Sequence, residues 1–136
     1  MAKNGSLLTA TALALALSLF AQNRAGKLPG PGTETIYSIA HVKRGMETRY
    51  AELSAKTWAI YRKLDLVLPA PHVVVRGVDS QNLPYFVEIF TWKSAEIPDH
   101  APAEVRAAWQ ELENACEKRD GRPGIDFAEV TAVAVN

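Results

Sequence analysis

The chain has 136 residues, of which 48% are hydrophobic and 22% charged, and its formal net charge is zero. This composition is typical of one globular domain with its own core. Because there is no basic surplus and no acidic tail, we expect no nucleic-acid partner. The single cysteine, Cys116, allows no intramolecular disulfide and is predicted to be a buried small hydrophobe.

The N-terminal segment differs in composition from the rest of the chain. Residues 7–20, LLTATALALALSLF, carry no charge, follow a basic start and precede a stretch of small residues. This layout is typical of a secretory signal peptide, and the apolar run is shorter than the roughly 20 residues of a membrane span. We therefore predict an exported protein, periplasmic or secreted, with residues 1–25 as the signal peptide and no stable membrane span after cleavage. Two alternatives stay open: a membrane-anchored form held by residues 7–20, and an N-terminal apolar helix.

After a Pro- and Gly-rich linker at 26–33, the hydrophobic pattern alternates between strand and helix periods. The predicted elements are a strand over 34–42, a helix over 45–64, a loop over 66–71, strands over 72–78 and 84–92, a helix that starts near Pro102 and stops at Gly121, and a strand over 125–135. This βαββαβ order predicts an α+β, ferredoxin-like domain over residues 34–136, with both helices on one face of a four-stranded antiparallel sheet. The third strand is apolar on both faces, so we expect a second copy of the chain to cover the other face.

The third predicted strand and the segment after it carry a recognisable pattern. The strand ends in IFTWKS, His100 follows Trp92 by eight residues, and the next helix contains VRAAW. With the βαββαβ order, this pattern resembles the dimeric α/β-barrel superfamily, and within it the antibiotic-biosynthesis-monooxygenase-like proteins, over roughly residues 34–135. The resemblance implies a homodimer whose sheets pack face to face, with a ligand cavity beside each sheet. It also implies several possible activities, among them cofactor-independent oxygenation of aromatic or quinol substrates and haem degradation.

Glu88 is the most informative candidate for chemistry, because it lies in the middle of an apolar strand and a buried carboxylate requires a partner. If the hairpin turn centres on Asn82, Arg76 is its cross-strand neighbour on the same face. The two residues would then form either a structural ion pair or a site in which Arg76 holds an oxyanion and Glu88 lies near a substrate proton. His41 is the alternative general base. The candidate catalytic residues are therefore His41, Arg76 and Glu88.

Aromatic residues and histidines on the same predicted elements form the candidate ligand-binding wall. They are Tyr37, His72, Phe86, Phe90, Trp92 and His100. An aromatic pocket with a few convergent polar groups is typical of a small-molecule site. Trp92 and His100 also match positions of the haem-degrading branch, whereas the first strand lacks the Asn found there. The spacing of the histidines does not suit a metal site, so we predict no metal and no cofactor.

The sequence leaves three functions open, and with them the question of whether the protein is an enzyme. The first is an exported homodimer that holds a small apolar or aromatic ligand without catalysis. The second is a cofactor-independent monooxygenase of the antibiotic-biosynthesis type, acting on a quinol or polyphenol. The third is a haem-binding or haem-degrading protein.

Overall fold

A computed structural model describes residues 32–133 and 135 of the chain. This part contains the strands β1 (Glu34–His41), β2 (Val67–Val78), β3 (Pro84–Trp92) and β4 (Ile125–Val130), the helices α1 (Glu47–Lys63) and α2 (Ala103–Asn114), and a 3₁₀ helix at Pro98–His100. The βαββαβ order is confirmed. The predicted signal peptide and most of the predicted linker lie outside the described residues. Within them, no helix is both long and apolar enough to cross a membrane.

The four strands form one antiparallel sheet in the order β2-β3-β1-β4. This is the ferredoxin-like α+β topology, in which β1 and β3 are central. Successive side chains of a strand point to opposite faces of the sheet. Ile36, Ser38 and Ala40 of β1 are buried on the face toward the helices, and the register brings Glu88 of β3 opposite Ser38 on that face.

The core lies between this face and the two helices. On α1, buried Tyr50, Leu53, Thr57 and Tyr61 recur every three or four residues, which gives the helix one stripe that faces the sheet. The side chains divide into two clusters, one around Phe86 and Leu112 and one around Phe90 and Trp92. Trp109 of α2 packs against both clusters, so the helix closes the core along its length.

The start of β2 was wrongly predicted. The strand begins at Val67, within the segment read as a loop, and continues through Pro69 and Pro71. Proline is tolerated on an edge strand because one side of that strand makes no ladder hydrogen bonds. A shift in register between Val67 and His72 accommodates these residues against β3.

The second helix and the last strand are shorter than predicted. α2 ends at Asn114, well before Gly121, and β4 ends at Val130. Cys116 therefore lies outside the helix, where its backbone forms an isolated antiparallel β-bridge with that of Val42. Its predicted burial is confirmed, because it belongs to the core cluster around Phe86.

The face of the sheet that points away from the helices is also apolar. Ile39, Val75, Val87 and Ile89 share it, and Val75 is 51% exposed. Ile39, Val87 and Ile89 of this face are only partly buried within residues 32–133. The predicted sheet-to-sheet homodimer remains a prediction.

Candidate functional site

A cavity of about 430 Å³ lies between the helix-facing side of the sheet and the helices. This volume is in the range that holds small organic ligands. Most of its wall is aromatic or aliphatic: Ile36, Tyr50, Tyr61, Phe90, Trp92, Pro98, Trp109, Leu112, Ile125 and Phe127. Exposed Glu113 of α2 and exposed Phe127 and Glu129 of β4 belong to the same wall and mark the side on which it opens to solvent.

Glu88 lines the cavity, and its carboxylate is hydrogen-bonded to the side chain of His72. The Nε2 atom of His72 lies 2.9 Å from Oε1 of Glu88, and the side chains of His72 and Glu88 are 23% and 16% exposed. An ionised carboxylate only accepts hydrogen bonds, so Nε2 then carries the hydrogen. The ring of His72 is stacked on Trp58, with centroids 3.6 Å apart and planes 9° from parallel. No second side-chain hydrogen bond to Glu88 occurs among the described residues, which leaves Oε2 available to a ligand.

Two hydroxyl groups, on the buried residues Ser38 and Tyr50, belong to the same wall as Glu88. Ser38 and Tyr50 are 4% and 3% exposed, and neither hydroxyl has a hydrogen-bond partner in the described part of the chain. Burial raises the pKa of Tyr50 well above its ordinary value, with smaller contributions from Cys116 and Glu88, so this phenol stays protonated and can donate. The third hydroxyl in the wall, that of Tyr61, already accepts a hydrogen bond from Nε1 of Trp109. Among the described residues, Ser38, Tyr50 and Glu88 thus offer unused hydrogen-bonding capacity to a ligand in the cavity, and the O–H of Tyr61 also remains free to donate.

Of the residues predicted for the site, three line this cavity. They are Glu88, Phe90 and Trp92. His72 contributes through its hydrogen bond to Glu88. Phe86 lies in the adjacent core, where its ring packs on Tyr50 with a centroid distance of 4.8 Å.

The predicted pairing of Arg76 with Glu88 is wrong. Arg76 lies opposite Phe86, because the β2–β3 register is shifted by two residues from one centred on Asn82. A shift of two keeps a side chain on the same face but changes its neighbours. Arg76 instead contacts Glu47 of α1, with 3.7 Å between Nη2 and Oε1, and is 56% exposed.

Tyr37 and His41 were predicted to share the cavity with Glu88, and this is also wrong. Both lie on the opposite face of β1, since their register partners are Ile89 and Tyr85. The Nδ1 group of His41 donates to the carbonyl oxygen of Pro123 over 3.0 Å, which anchors the loop before β4.

His100 is exposed in the 3₁₀ helix and is not part of the cavity wall, whereas Trp92 is 3% exposed and lines it. The two residues that the haem hypothesis pairs therefore do not face one another across this cavity. Among residues 32–133 and 135, no group of three or more His, Cys, Asp and Glu side chains is arranged to hold a metal ion.

No family model and no curated protein matches the chain. A solved structure does: SnoaB, described as a cofactor-independent oxygenase from Streptomyces nogalater and determined as a mutant, with a TM-score of 0.57 and 16% sequence identity. The chain shares the fold of SnoaB. The match covers 76% of this chain and 96% of SnoaB. It confirms the fold that the resemblance implied. At an identity this low, the functional residues of SnoaB cannot be assigned to positions of this chain.

Neither the Ser38 nor the Tyr50 hydroxyl was predicted from the sequence to belong to the site. A serine in the middle of an otherwise apolar strand face, between Ile36 and Ala40, was a usable signal for Ser38. Tyr50 gave no such signal, because a tyrosine on the apolar stripe of a helix is most simply read as core packing.

Proposed function

We propose that the chain binds a small aromatic molecule that carries a hydroxyl or carbonyl group, in the cavity between the sheet and the helices. One observation carries this proposal: the cavity has aromatic walls and contains the unpartnered hydroxyls of Ser38 and Tyr50 together with the carboxylate of Glu88. Hydrogen bonds from a ligand oxygen to these groups, made inside a largely apolar cavity, contribute to binding. A phenol suits all three groups, since it donates to Glu88 and accepts from Ser38 or Tyr50.

Titration with simple phenols tests this proposal. Trp92 and Trp109 line the cavity, so their fluorescence reports on occupancy directly. Tyr50→Phe keeps the ring that packs on Phe86 and removes only the hydroxyl. We expect it to weaken phenol binding about threefold to tenfold, the effect of losing one buried hydrogen bond. Tyr37→Phe, on the opposite sheet face, is the matched control and should leave the affinity unchanged. If no phenol changes the fluorescence, the proposal is wrong.

A second candidate function, cofactor-independent oxygenation, is favoured by the pair of Glu88 and His72. Glu88 is close to the space a ligand would occupy, and His72 holds the carboxylate in one orientation. A carboxylate held in this way is a general base for the hydroxyl of a quinol or polyphenol. The shared fold with SnoaB, a cofactor-independent oxygenase by description, adds weak support at 16% identity.

The reaction balances without an external reductant. Glu88 takes the proton of the substrate hydroxyl, and the resulting anion transfers an electron to O₂ and recombines with the reduced oxygen at a ring carbon to give a peroxide. Loss of water from the peroxide leaves a new carbonyl. Overall, a quinol and O₂ give a hydroxyquinone and water, and the substrate supplies the electrons. In this scheme Tyr50 and Ser38 would donate hydrogen bonds to the anion.

Oxygen uptake with a panel of quinols and polyphenols tests the second function. Isotopically labelled O₂ should deliver one labelled atom to the product and one to water. Glu88→Gln should abolish uptake while retaining phenol binding, because the amide cannot act as the base. Uptake that is unchanged in Glu88→Gln would eliminate this mechanism. Binding without uptake in the unmodified protein would support the binding function by itself.

The apolar outer face of the sheet supports a homodimer in which two sheets pack together. Val75, at 51% exposed, lies on this face. Val75→Lys should convert a dimer into a monomer in light-scattering measurements. Val78→Lys is the matched control, because Val78 is 57% exposed but lies on the other face of β2, at its end. A monomer in the unmodified protein would rule out this assembly.

We also retain export as part of the proposal, on the composition of residues 1–25. Fractionation of cells that express the full chain, with determination of the N-terminal residue of the product, tests it. A product that begins between residues 22 and 26 in the exported fraction supports cleavage. An intact chain in the membrane fraction supports the anchored form.

A further inference from the structure

The charged groups of the cavity wall all have one sign. Among the described residues, the wall contains the carboxylates of Glu34, Glu88, Glu113 and Glu129 and no Lys, Arg or His side chain. The chain as a whole carries equal numbers of basic and acidic residues, 15 of each. Composition alone therefore does not account for a purely acidic wall.

Three of these carboxylates have no counter-ion among the described residues. Glu34, Glu113 and Glu129 form no ion pair or hydrogen bond through their side chains in residues 32–133 and 135. Glu34 and Glu129 lie on the same sheet face of adjacent strands, since Glu129 is the register partner of Ile36. Partial burial raises the pKa of Glu34, and repulsion from Glu129 and Asp99 raises it further. Like charges held together without a cation destabilise the empty protein, and a cation between them relieves that repulsion.

An exposed aromatic ring lies on the same sheet face as Glu34 and Glu129. Phe127 is 61% exposed, belongs to the cavity wall and lies on β4 two residues before Glu129, on the same face. The face of an aromatic ring attracts a cation, by about 0.5–1 kcal/mol at exposed sites. Carboxylates beside an exposed ring are therefore suited to a protonated amine.

An independent observation indicates that the same cavity takes a ligand. Ser38 and Tyr50 are more than nine-tenths buried as residues and line this cavity, and their hydroxyls have no hydrogen-bond partner in the described part of the chain. Together with Glu88 they are suited to a phenolic or carbonyl oxygen. The cavity thus combines groups for a ring oxygen with groups for a positive charge.

We propose that the cavity selects an aromatic amine, whose ring hydroxyl or carbonyl binds at Ser38, Tyr50 and Glu88 and whose protonated amine lies at the opening beside Glu34, Glu129 and Phe127. This inference rests on the proposed function, since it specifies the class of the aromatic ligand. Aromatic acids should bind more weakly than uncharged aromatic ligands, because the carboxylates at this opening repel their negative charge.

Three para-substituted phenols whose short side chains differ in charge test the selection: tyramine with a protonated amine, para-ethylphenol with no charge and para-hydroxyphenylpropionate with a carboxylate. Calorimetric titration at neutral pH and low salt should give tyramine the highest affinity, about fivefold to tenfold above para-ethylphenol. The acid should bind more weakly than para-ethylphenol. The advantage of tyramine should shrink as salt is added, because exposed charges are screened.

The variants separate charge selection from binding of the ring. In Glu34→Gln/Glu129→Gln, tyramine should lose most of its advantage, to within about twofold of para-ethylphenol, while para-ethylphenol keeps its affinity. Glu52→Gln is the matched control, because Glu52 is an exposed carboxylate of α1 that pairs with Arg49 and lies outside the cavity wall. It should leave the affinities for all three phenols unchanged.

The outcomes distinguish this inference from the function on which it rests. Equal affinity for the three phenols, or tightest binding of the acid, overturns the selection of amines and leaves aromatic binding intact. Binding of none of the three overturns the aromatic-binding function and the selection with it. An advantage of tyramine that persists in Glu34→Gln/Glu129→Gln also overturns the assignment of the amine to this opening.

Discussion

His72 on the edge strand β2 and Glu88 on the central strand β3 are joined by a hydrogen bond of 2.9 Å on the sheet face that carries the cavity. The imidazole ring of His72 is stacked on Trp58 of α1, which fixes the orientation of the imidazole. Trp58 of α1 therefore positions the ring of His72, and His72 in turn positions the half-buried carboxylate of Glu88. This arrangement orients Glu88 toward the cavity without using its second oxygen.

His72→Phe tests the role of this pair. The phenyl ring retains the stack on Trp58 but cannot donate to Glu88. We expect the free energy of unfolding to fall by about 1 kcal/mol and phenol affinity to fall about threefold or more, because Glu88 loses its orientation. Urea denaturation and the phenol titration measure the two effects. His100→Phe, at an exposed histidine outside the cavity wall, should change stability by less than about 0.5 kcal/mol. Equal effects of the two substitutions would contradict a positioning role for His72.

The elements of the fold were largely predictable because their hydrophobic patterns are periodic. β3 was predicted with its observed bounds, 84–92, since a run of β-branched and aromatic residues begins at Pro84 and ends before polar residues. The topology followed from the order of the elements and the handedness of their crossovers. The start of β2 was missed because Pro69 and Pro71 read as loop, and only the position of β2 at the sheet edge makes them tolerable.

The candidate site was predictable only in part, and the register is the reason. Hydrophobic alternation identifies which face a residue occupies, but a shift of two residues leaves every side chain on the same face. The prediction that Arg76 and Glu88 share a sheet face was therefore correct, but the prediction that they are cross-strand neighbours was wrong. The face of β1 that meets the helices was also undecided in the sequence, because both of its faces carry apolar residues. His41 was placed with Glu88 for that reason.

Arg119 was not singled out in the sequence, yet it joins the segment after α2 to the rest of the fold. Its side chain is 5% exposed and donates to the carbonyl oxygens of Val42 and Pro84, each over 2.9 Å. It also pairs with Asp79 at 3.3 Å and Glu117 at 2.9 Å. Because all four acceptors lie at different points of the chain, this one residue connects β1, the β2–β3 hairpin and the loop before β4.

We expect Arg119→Met to lower the free energy of unfolding by about 2–4 kcal/mol, since two carbonyl groups and two carboxylates lose their donor. Arg122→Met is the matched control. Arg122 is 67% exposed and pairs with Asp126 at 3.2 Å, an exposed pair that contributes less than about 1 kcal/mol. Denaturation in urea compares the two variants. Comparable losses in both would mean that the buried network adds nothing beyond a surface pair.

Asp79 gives the β2–β3 hairpin a dependence on pH. The backbone N–H groups of Leu83 and Gln81 and the nearby Arg119 hold the pKa of its carboxyl below its ordinary value. A group whose pKa is lowered by folding contributes stability above its unfolded pKa, near 3.9, and loses it as the pH falls through the folded pKa. The wild-type protein should therefore lose this contribution below about pH 4. Asp79→Asn should be less stable at neutral pH, and the difference from wild type should narrow in acid. A difference that is constant from pH 7 to pH 2 would contradict this origin.

Cys116 provides a test of core integrity. Burial raises the pKa of its thiol to about 12, with Lys43 and Arg119 opposing this effect, and the residue is 6% exposed. The thiolate is the reactive species, so at pH 8 the thiol of the folded protein is almost entirely un-ionised. We expect a thiol reagent such as Ellman's reagent to react at least about a hundredfold more slowly with the native protein than with the protein in denaturant. Arg119→Met should accelerate the native reaction, because the segment that carries Cys116 then opens more often, whereas Arg122→Met should not. Rapid labelling of the unmodified native protein would mean that the segment after α2 does not pack against β1 as described.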